Sequence, residues 1–130
     1  ASKIEHANIT SSIIADGCKI ENATIKESVI GLRSVIQSGS TLERVIMMGS
    51  DYYENSADIE RLNVRHLPKI GIGKKCTLKN VIIDKNVRIG NEVTIVNKKK
   101  IQNQDSEFYC IRDGIVIIPK NTVVKNGTII

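Results

Sequence analysis

Between Ile70 and Val96 the chain reads IGIGKKCTLKNVIIDKNVRIGNEVTIV, and Ile72, Leu78, Ile83, Ile89 and Ile95 fall five or six residues apart. Ile72 recurs as Ile89, and Leu78 as Ile95, each seventeen residues later. A helix face repeats about every 3.6 residues and a half-buried strand about every two, so neither accommodates this spacing. A chain that turns a corner about every six residues and stacks coil upon coil does accommodate it. That is a hexapeptide β-helix repeat, and few other folds tolerate the pattern.

The same period organises the start of the chain. Ile9, Ile14 and Ile20, then Ile25, Ile30 and Ile36, then Leu42 and Met47 repeat in steps of sixteen or seventeen residues, one three-sided coil per set. It returns at the end, where Ile118, Val124 and Ile130 stand in strict six-residue register. The fold class predicted is all-β, a parallel β-helix with two insertions in a single domain over residues 1–130. The coils are expected at about 9–49, 70–96 and 114–130, and the insertions at about 50–69 and 97–113. Composition agrees, because aromatics make up only 3 % and there is no Trp. The core must therefore be built from branched aliphatics, which favour strands.

Four residues after each marker sits a compact side chain: Cys18, Thr24, Ser34, Ser40, Cys76, Val87, Val93, Thr122 and Thr128. A tight corner has room inside for nothing larger. Turns of this kind need positive φ, which Gly and Asn supply most readily. Gly17, Gly39, Gly73, Gly90 and Gly127, with Asn22, Asn80, Asn86, Asn121 and Asn126, are the residues expected to do so.

The first insertion, SDYYENSADIERLNVRHLPK, is polar, and SADIERL within it has helical character. The second, NKKKIQNQDSEFY, carries the run Lys98 to Lys100, read as a solvated charge run. Cys18 and Cys76 fall in the compact corner slot, with no His or basic cluster beside them to stabilise a thiolate. With Cys110 they form an odd, widely spaced set without CxxC or metal-ligand spacing. A reducing compartment is expected. No apolar run approaches bilayer length and the start has no signal-peptide form, so a soluble chain without a membrane partner is expected. The net charge of +5 suits either an anionic partner or simply a basic solvated surface. Small phosphorylated ligands match scattered lysines better than nucleic acid, since the stacking aromatics of single-strand binders are missing.

Four phrases together resemble one family. They are SVIGLRSVIQSG (Ser28 to Gly39), VIMMGSDYYE (Val45 to Glu54), IGIGKKCTLKNVIIDKNVRIG (Ile70 to Gly90) and FYCIRDGIVIIPKNTVVKNGTII (Phe108 to Ile130). In order and spacing they are similar to the C-terminal β-helix domain of ADP-glucose pyrophosphorylases, the glucose-1-phosphate adenylyltransferases. The resemblance implies a left-handed parallel β-helix behind an N-terminal nucleotidyltransferase domain. That domain joins ATP and glucose 1-phosphate to give ADP-glucose and pyrophosphate with magnesium, for glycogen or starch synthesis. The resemblance further implies contacts within a homo- or heterotetramer and an allosteric site for phosphorylated effectors, among them 3-phosphoglycerate and phosphate. The bacterial cytoplasm and the plastid stroma are the two compartments it implies.

Carried across by motif, the effector lysines are Lys85 in IIDKN and Lys120 in GIVIIPKN, with Asp84 beside the first. Both lysines stand two residues after their markers, Ile83 and Ile118, so both should point outward, where ammonium groups can grip phosphate as point charges. Arg112, near Lys120 in sequence, is a third candidate. Pro119 and the lysine-rich second insertion depart from the photosynthetic pattern. The chain has no G-G-x-G-x-R-L nucleotide loop, so no catalytic residue and no cofactor is expected in this domain, and the chain should be inactive alone. A piece of a larger subunit is the expectation.

Two other readings compete. Trimeric hexapeptide acyltransferases share the coil and set a His general base at a subunit interface; here only His6 and His66 are available. The second is a ligand-free structural module.

Overall fold

The computed structural model describes all of residues 1–130, and the six-residue period becomes a stack of three-sided coils. The first coil is β1 (Lys3–Glu5), β2 (Asn8–Thr10) and β3 (Ile13–Ile14), and the second is β4 (Lys19–Glu21), β5 (Thr24–Lys26) and β6 (Val29–Ile30). The third is β7 (Val35–Ile36) and β8 (Thr41–Met47), after which the chain leaves the stack for the helix α1 (Ser56–Val64). It re-enters as β9 (Gly71–Ile72) and β10 (Thr77–Ile83), then β11 (Arg88–Ile89) and β12 (Thr94–Ile95). A hairpin follows, β13 (Asn103–Asp105) and β14 (Cys110–Arg112), then β15 (Ile115–Ile118) and finally β16 (Val123–Val124).

Every pairing between coils is parallel and in the register that the markers dictate. One side of the prism is the sheet β1-β4-β7-β9-β11-β16, which stacks Ile4, Ile20, Ile36, Ile72, Ile89 and Val124. The other two sides form one continuous sheet because β8 and β10 bend around a corner without ending. Leu42 and Leu78 lie on one side of that bend, Met47 and Ile83 on the other. From Ile20 to Val124 the stacked markers are at most 3 % exposed. Each such side chain contributes roughly 1.5–3 kcal/mol by leaving water.

The compact slot is real, but it is set by the marker that follows. It lies two residues before each marker, so Ala23 (4 % exposed) fills it and Thr24, at the end of a five-residue step, lies half exposed. Polar occupants find partners on the neighbouring coil: Ser40 Oγ donates to the Gly73 carbonyl at 2.7 Å and Cys76 Sγ to that of Gly90 at 3.1 Å. A buried slot accepts a hydroxyl or thiol only when it is satisfied in this way.

The corners carry the left-handed conformations, but the residue types differ from the sequence expectation. Asn22, Asn80, Asn86, Asn121, Gly17, Gly39 and Gly127 have positive φ, and so do Glu27, Arg33, Arg44, Lys75 and Glu92. Stacking fixes the corner even where the residue is not Gly or Asn. Gly73 and Gly90 serve another purpose: a Cβ on Gly73 would lie 2.3 Å from the Gly90 oxygen, so coil-to-coil contact excludes a side chain there. Asn126 has no positive φ; its Oδ1 accepts from the Asn91 backbone N–H at 2.7 Å.

Both insertions are more ordered than their polarity implies. The first folds into α1, capped at Asn55, whose side chain accepts from the Asp58 backbone while Asp58 reaches back to the Asn55 N–H. This reciprocal box satisfies two otherwise orphaned donors. The second is not simply an excursion. β13 and β14 add antiparallel to β15 and bury Ile111, so the hairpin covers the edge that β15 would otherwise expose. No helix is long and apolar enough to cross a membrane.

Candidate functional site

Ile83 pairs with Ile118, so two residues further on Lys85 and Lys120 stand on neighbouring coils at the same corner, their backbones about 4.8 Å apart by strand spacing. The Asn121 N–H donates to the Lys85 carbonyl at 3.0 Å and locks that register. Both side chains are exposed, as outward placement requires.

The chain's other contribution to this corner was not legible in the motif. Asp51, at the start of the first insertion, accepts from Lys85 Nζ at 3.2 Å through Oδ1. Asn86 holds it there from both ends: Asn86 Nδ2 donates to Asp51 Oδ2 and the Asp51 N–H donates to Asn86 Oδ1, each at 2.9 Å. The Asn86 hydrogen bond, then Lys85 and finally the charge of Lys120 hold the Asp51 carboxyl below its ordinary value of 3.8. Lys85 is therefore already paired, whereas Lys120 has no carboxylate within ion-pair distance. An arriving anion competes with Asp51 for the first ammonium and finds the second free.

Asp84 and Arg112 do not join this cluster. Asp84 Oδ1 accepts from the Lys85 backbone N–H at 2.6 Å, an intrachain contact that shapes the corner. Arg112 pairs with Ile115, at the opposite end of β15 from Lys120, about 16 Å away along the strand. There it is bound to Asp105 at 2.6 Å, and that contact raises the guanidinium further above its already high value. Proximity in sequence failed because the antiparallel hairpin sends Arg112 back along the sheet.

The other sequence candidates are also placed. His66, at φ 56°, is exposed on a polar cavity of about 360 Å³ that it shares with Asn63, Lys74 and Asn126. Lys98, Lys99 and Lys100 are exposed without ion-pair partners. No group of three or more His, Cys, Asp or Glu converges as a metal site would require.

The model of the GLGC left-handed parallel beta-helix domain family matches residues 1–129. The chain belongs to that family. Its coil is accordingly left-handed. Among curated relatives, the GLGC-type domain is 43 % identical to the glucose-1-phosphate adenylyltransferase small subunit, chloroplastic/amyloplastic, of Triticum aestivum, over 99 % of this chain. It spans 28 % of that relative's length. Tight corners, a two-sided sheet and an outward lysine pair are thus features of a GLGC-family β-helix.

Proposed function

We propose that this β-helix is the regulatory and subunit-assembly domain of a glucose-1-phosphate adenylyltransferase, and that the Lys85–Lys120 corner contributes to an allosteric site for phosphorylated effectors such as 3-phosphoglycerate or phosphate. The reading rests on family membership and on one observation: two ammonium groups on adjacent coils flank a single carboxylate. Phosphate carries more charge and more acceptor oxygens than Asp51, so it can displace that carboxylate from Lys85 and engage Lys120 at once. Catalysis, with its magnesium, belongs to the nucleotidyltransferase domain, and no step of it is assigned to these residues. That domain and the other subunits of a homo- or heterotetramer are the proposed macromolecular partners. The compartment named for the wheat relative supports starch synthesis in a plastid; in a bacterial cytoplasm the same reaction would feed glycogen.

The test is an amide NMR titration with 3-phosphoglycerate and, separately, inorganic phosphate. Saturable shifts at Lys85, Lys120 and Asn121 are expected at millimolar effector, lost in the Lys85→Gln/Lys120→Gln double variant. Asp51→Asn removes the competitor and should tighten binding by roughly two- to fivefold, the scale of one exposed ion pair. Identical shifts in wild type and double variant would sink the proposal.

A further inference from the structure

The three sides of the prism differ in what they turn outward. On the β1-β4-β7 side the outward residues include Lys19 and Arg88, and the first insertion lies against them: Lys19 stands over the Tyr53 ring and Arg88 binds Glu54. The β2-β5 side carries Asn8, Thr24, Thr41, Thr77 and Thr94 in one line. On the third side the line is Ile13, Val29, Ile46, Ile82 and Ile117, in direct register from coil to coil. These alternate with the inward markers, so they face outward; Ile13 is 67 %, Val29 43 % and Ile46 46 % exposed. Leu32 and Met48, exposed to a similar degree, stand at the corner beside them.

The fold does not demand an aliphatic line on the outside. Thr forms strands as readily as Ile or Val, and the neighbouring side uses Thr at the equivalent slot on four successive coils. Single exposed aliphatics are ordinary on a protein surface, but a contiguous strip of them marks an interaction face. By coil spacing this strip is about 19 Å long. The exposure of Ile13, Val29 and Ile46 shows that no element of the chain lies over it.

We infer that the strip is where a second copy of this chain docks, the two prisms antiparallel about a two-fold axis that crosses the strip at Ile46. It rests on the subunit-assembly part of the proposed function, whose face and partner it names, and not on the effector site. A two-fold interface must match itself. Antiparallel packing sets Ile13 against Ile117 of the second copy, Val29 against its Ile82, and Ile46 against its Ile46. The charges choose between orientations. Along one edge of the strip the corner residues run Asp16, Leu32, Gly49, Lys85 and Lys120 from the first coil to the fifth. Neither Asp16 nor Lys120 has an ion-pair partner within the chain. Reversal brings Asp16 of each copy against Lys120 of the other, twice by symmetry. A parallel pair would set Asp16 against Ser11 and Lys120 against Ile115, on the opposite edge, and match neither charge. On that opposite edge the antiparallel pair brings Arg44 against its own mate, but Glu27 and Glu43 already bind each one at 3.2 and 3.0 Å. The strip is smaller than a standard interface, which takes about 800 Å² from each partner, so the dimer belongs to the weak class.

Sedimentation velocity of the whole chain, from about 1 μM to about 1 mM, reads the association directly. Wild type is expected to pass from monomer to dimer across that range, and Val29→Thr/Ile46→Thr to stay monomeric throughout. Both positions are exposed and Thr keeps their strand preference, so the thermal melt of this variant by circular dichroism should match wild type. Charge exchange tests the orientation. Asp16→Lys and Lys120→Asp should each weaken the dimer by roughly tenfold, because an attraction becomes a repulsion at two symmetric places, and the double variant should restore it. A wild type that stays monomeric overturns the inference and leaves the strip to some other partner. A dimer that persists in the Thr variant overturns it too, but leaves subunit assembly standing on another face. A dimer lost in the Thr variant yet unmoved by either charge exchange refutes the antiparallel arrangement.

Discussion

Leu78→Ala should be among the most damaging single substitutions in this chain. Leu78 is 0 % exposed and sits mid-stack, with Leu42 on the coil before it and Ile95 on the coil after. Three carbons leave the core, at about 0.8 kcal/mol each, or about 2.4 kcal/mol of lost transfer energy. The cavity term adds up to about 2 kcal/mol where the surroundings cannot collapse. Here they cannot. The backbone on both sides is tied by coil-to-coil bonds such as Thr41 N–H to the Cys76 carbonyl and Thr77 N–H to the Val93 carbonyl, at 2.8 and 2.9 Å. The expected cost is therefore about 4 kcal/mol. Urea unfolding followed by far-ultraviolet circular dichroism should show the midpoint lowered by roughly 2 M, given typical slopes for a domain of this size. Ile4→Ala is the control: Ile4 is 44 % exposed in the first coil, with a neighbour on one side only, and should cost under about 1 kcal/mol. Equal midpoints for the two variants would refute the claim that rigid stacking, rather than side-chain identity, sets the cost.

Two further outcomes follow from the same geometry. Because Asn86 and the lysines lower the Asp51 carboxyl below 3.8, its contribution to stability is fully present above that value and is lost as pH falls through the lower, folded-state value. Carboxyl-carbon NMR should show Asp51 still ionised at pH 3.8, and Asn86→Ala should move its titration upward; a normal midpoint in wild type would refute the geometry. Cys76 is fully buried and its burial pushes the thiol up, and Cys18 is 1 % exposed, so a thiol reagent should label native protein at Cys110 alone and all three cysteines in denaturant. Rapid native labelling of Cys76 would contradict its place inside the corner.

The Ile, Leu and Val markers were legible because they obey a local rule. Every six residues one large aliphatic side chain must point inward, whatever the rest of the chain does. That rule yields the coils and the outward slot that Lys85 and Lys120 share, two residues after their markers; that the two stand on neighbouring coils is seen in the structure. The capped helix was equally local, since Asn55 and Asp58 sit three residues apart.

What the sequence could not decide is whatever depends on where an insertion returns. Asp51 reaches Lys85 from thirty-four residues away because stacking, not sequence, makes the Gly49 and Lys85 corners neighbours. Arg112 was misplaced because nothing local distinguishes a loop running forward from a hairpin folding back antiparallel onto β15. Ser50 looked like an ordinary start to a polar loop, and only the packing around it makes its hydroxyl a buried atom without a partner. Periodicity alone determined the scaffold, because burial repeats with the chain. Charge placement was decided by tertiary structure, because an ion pair forms wherever two distant segments meet in space.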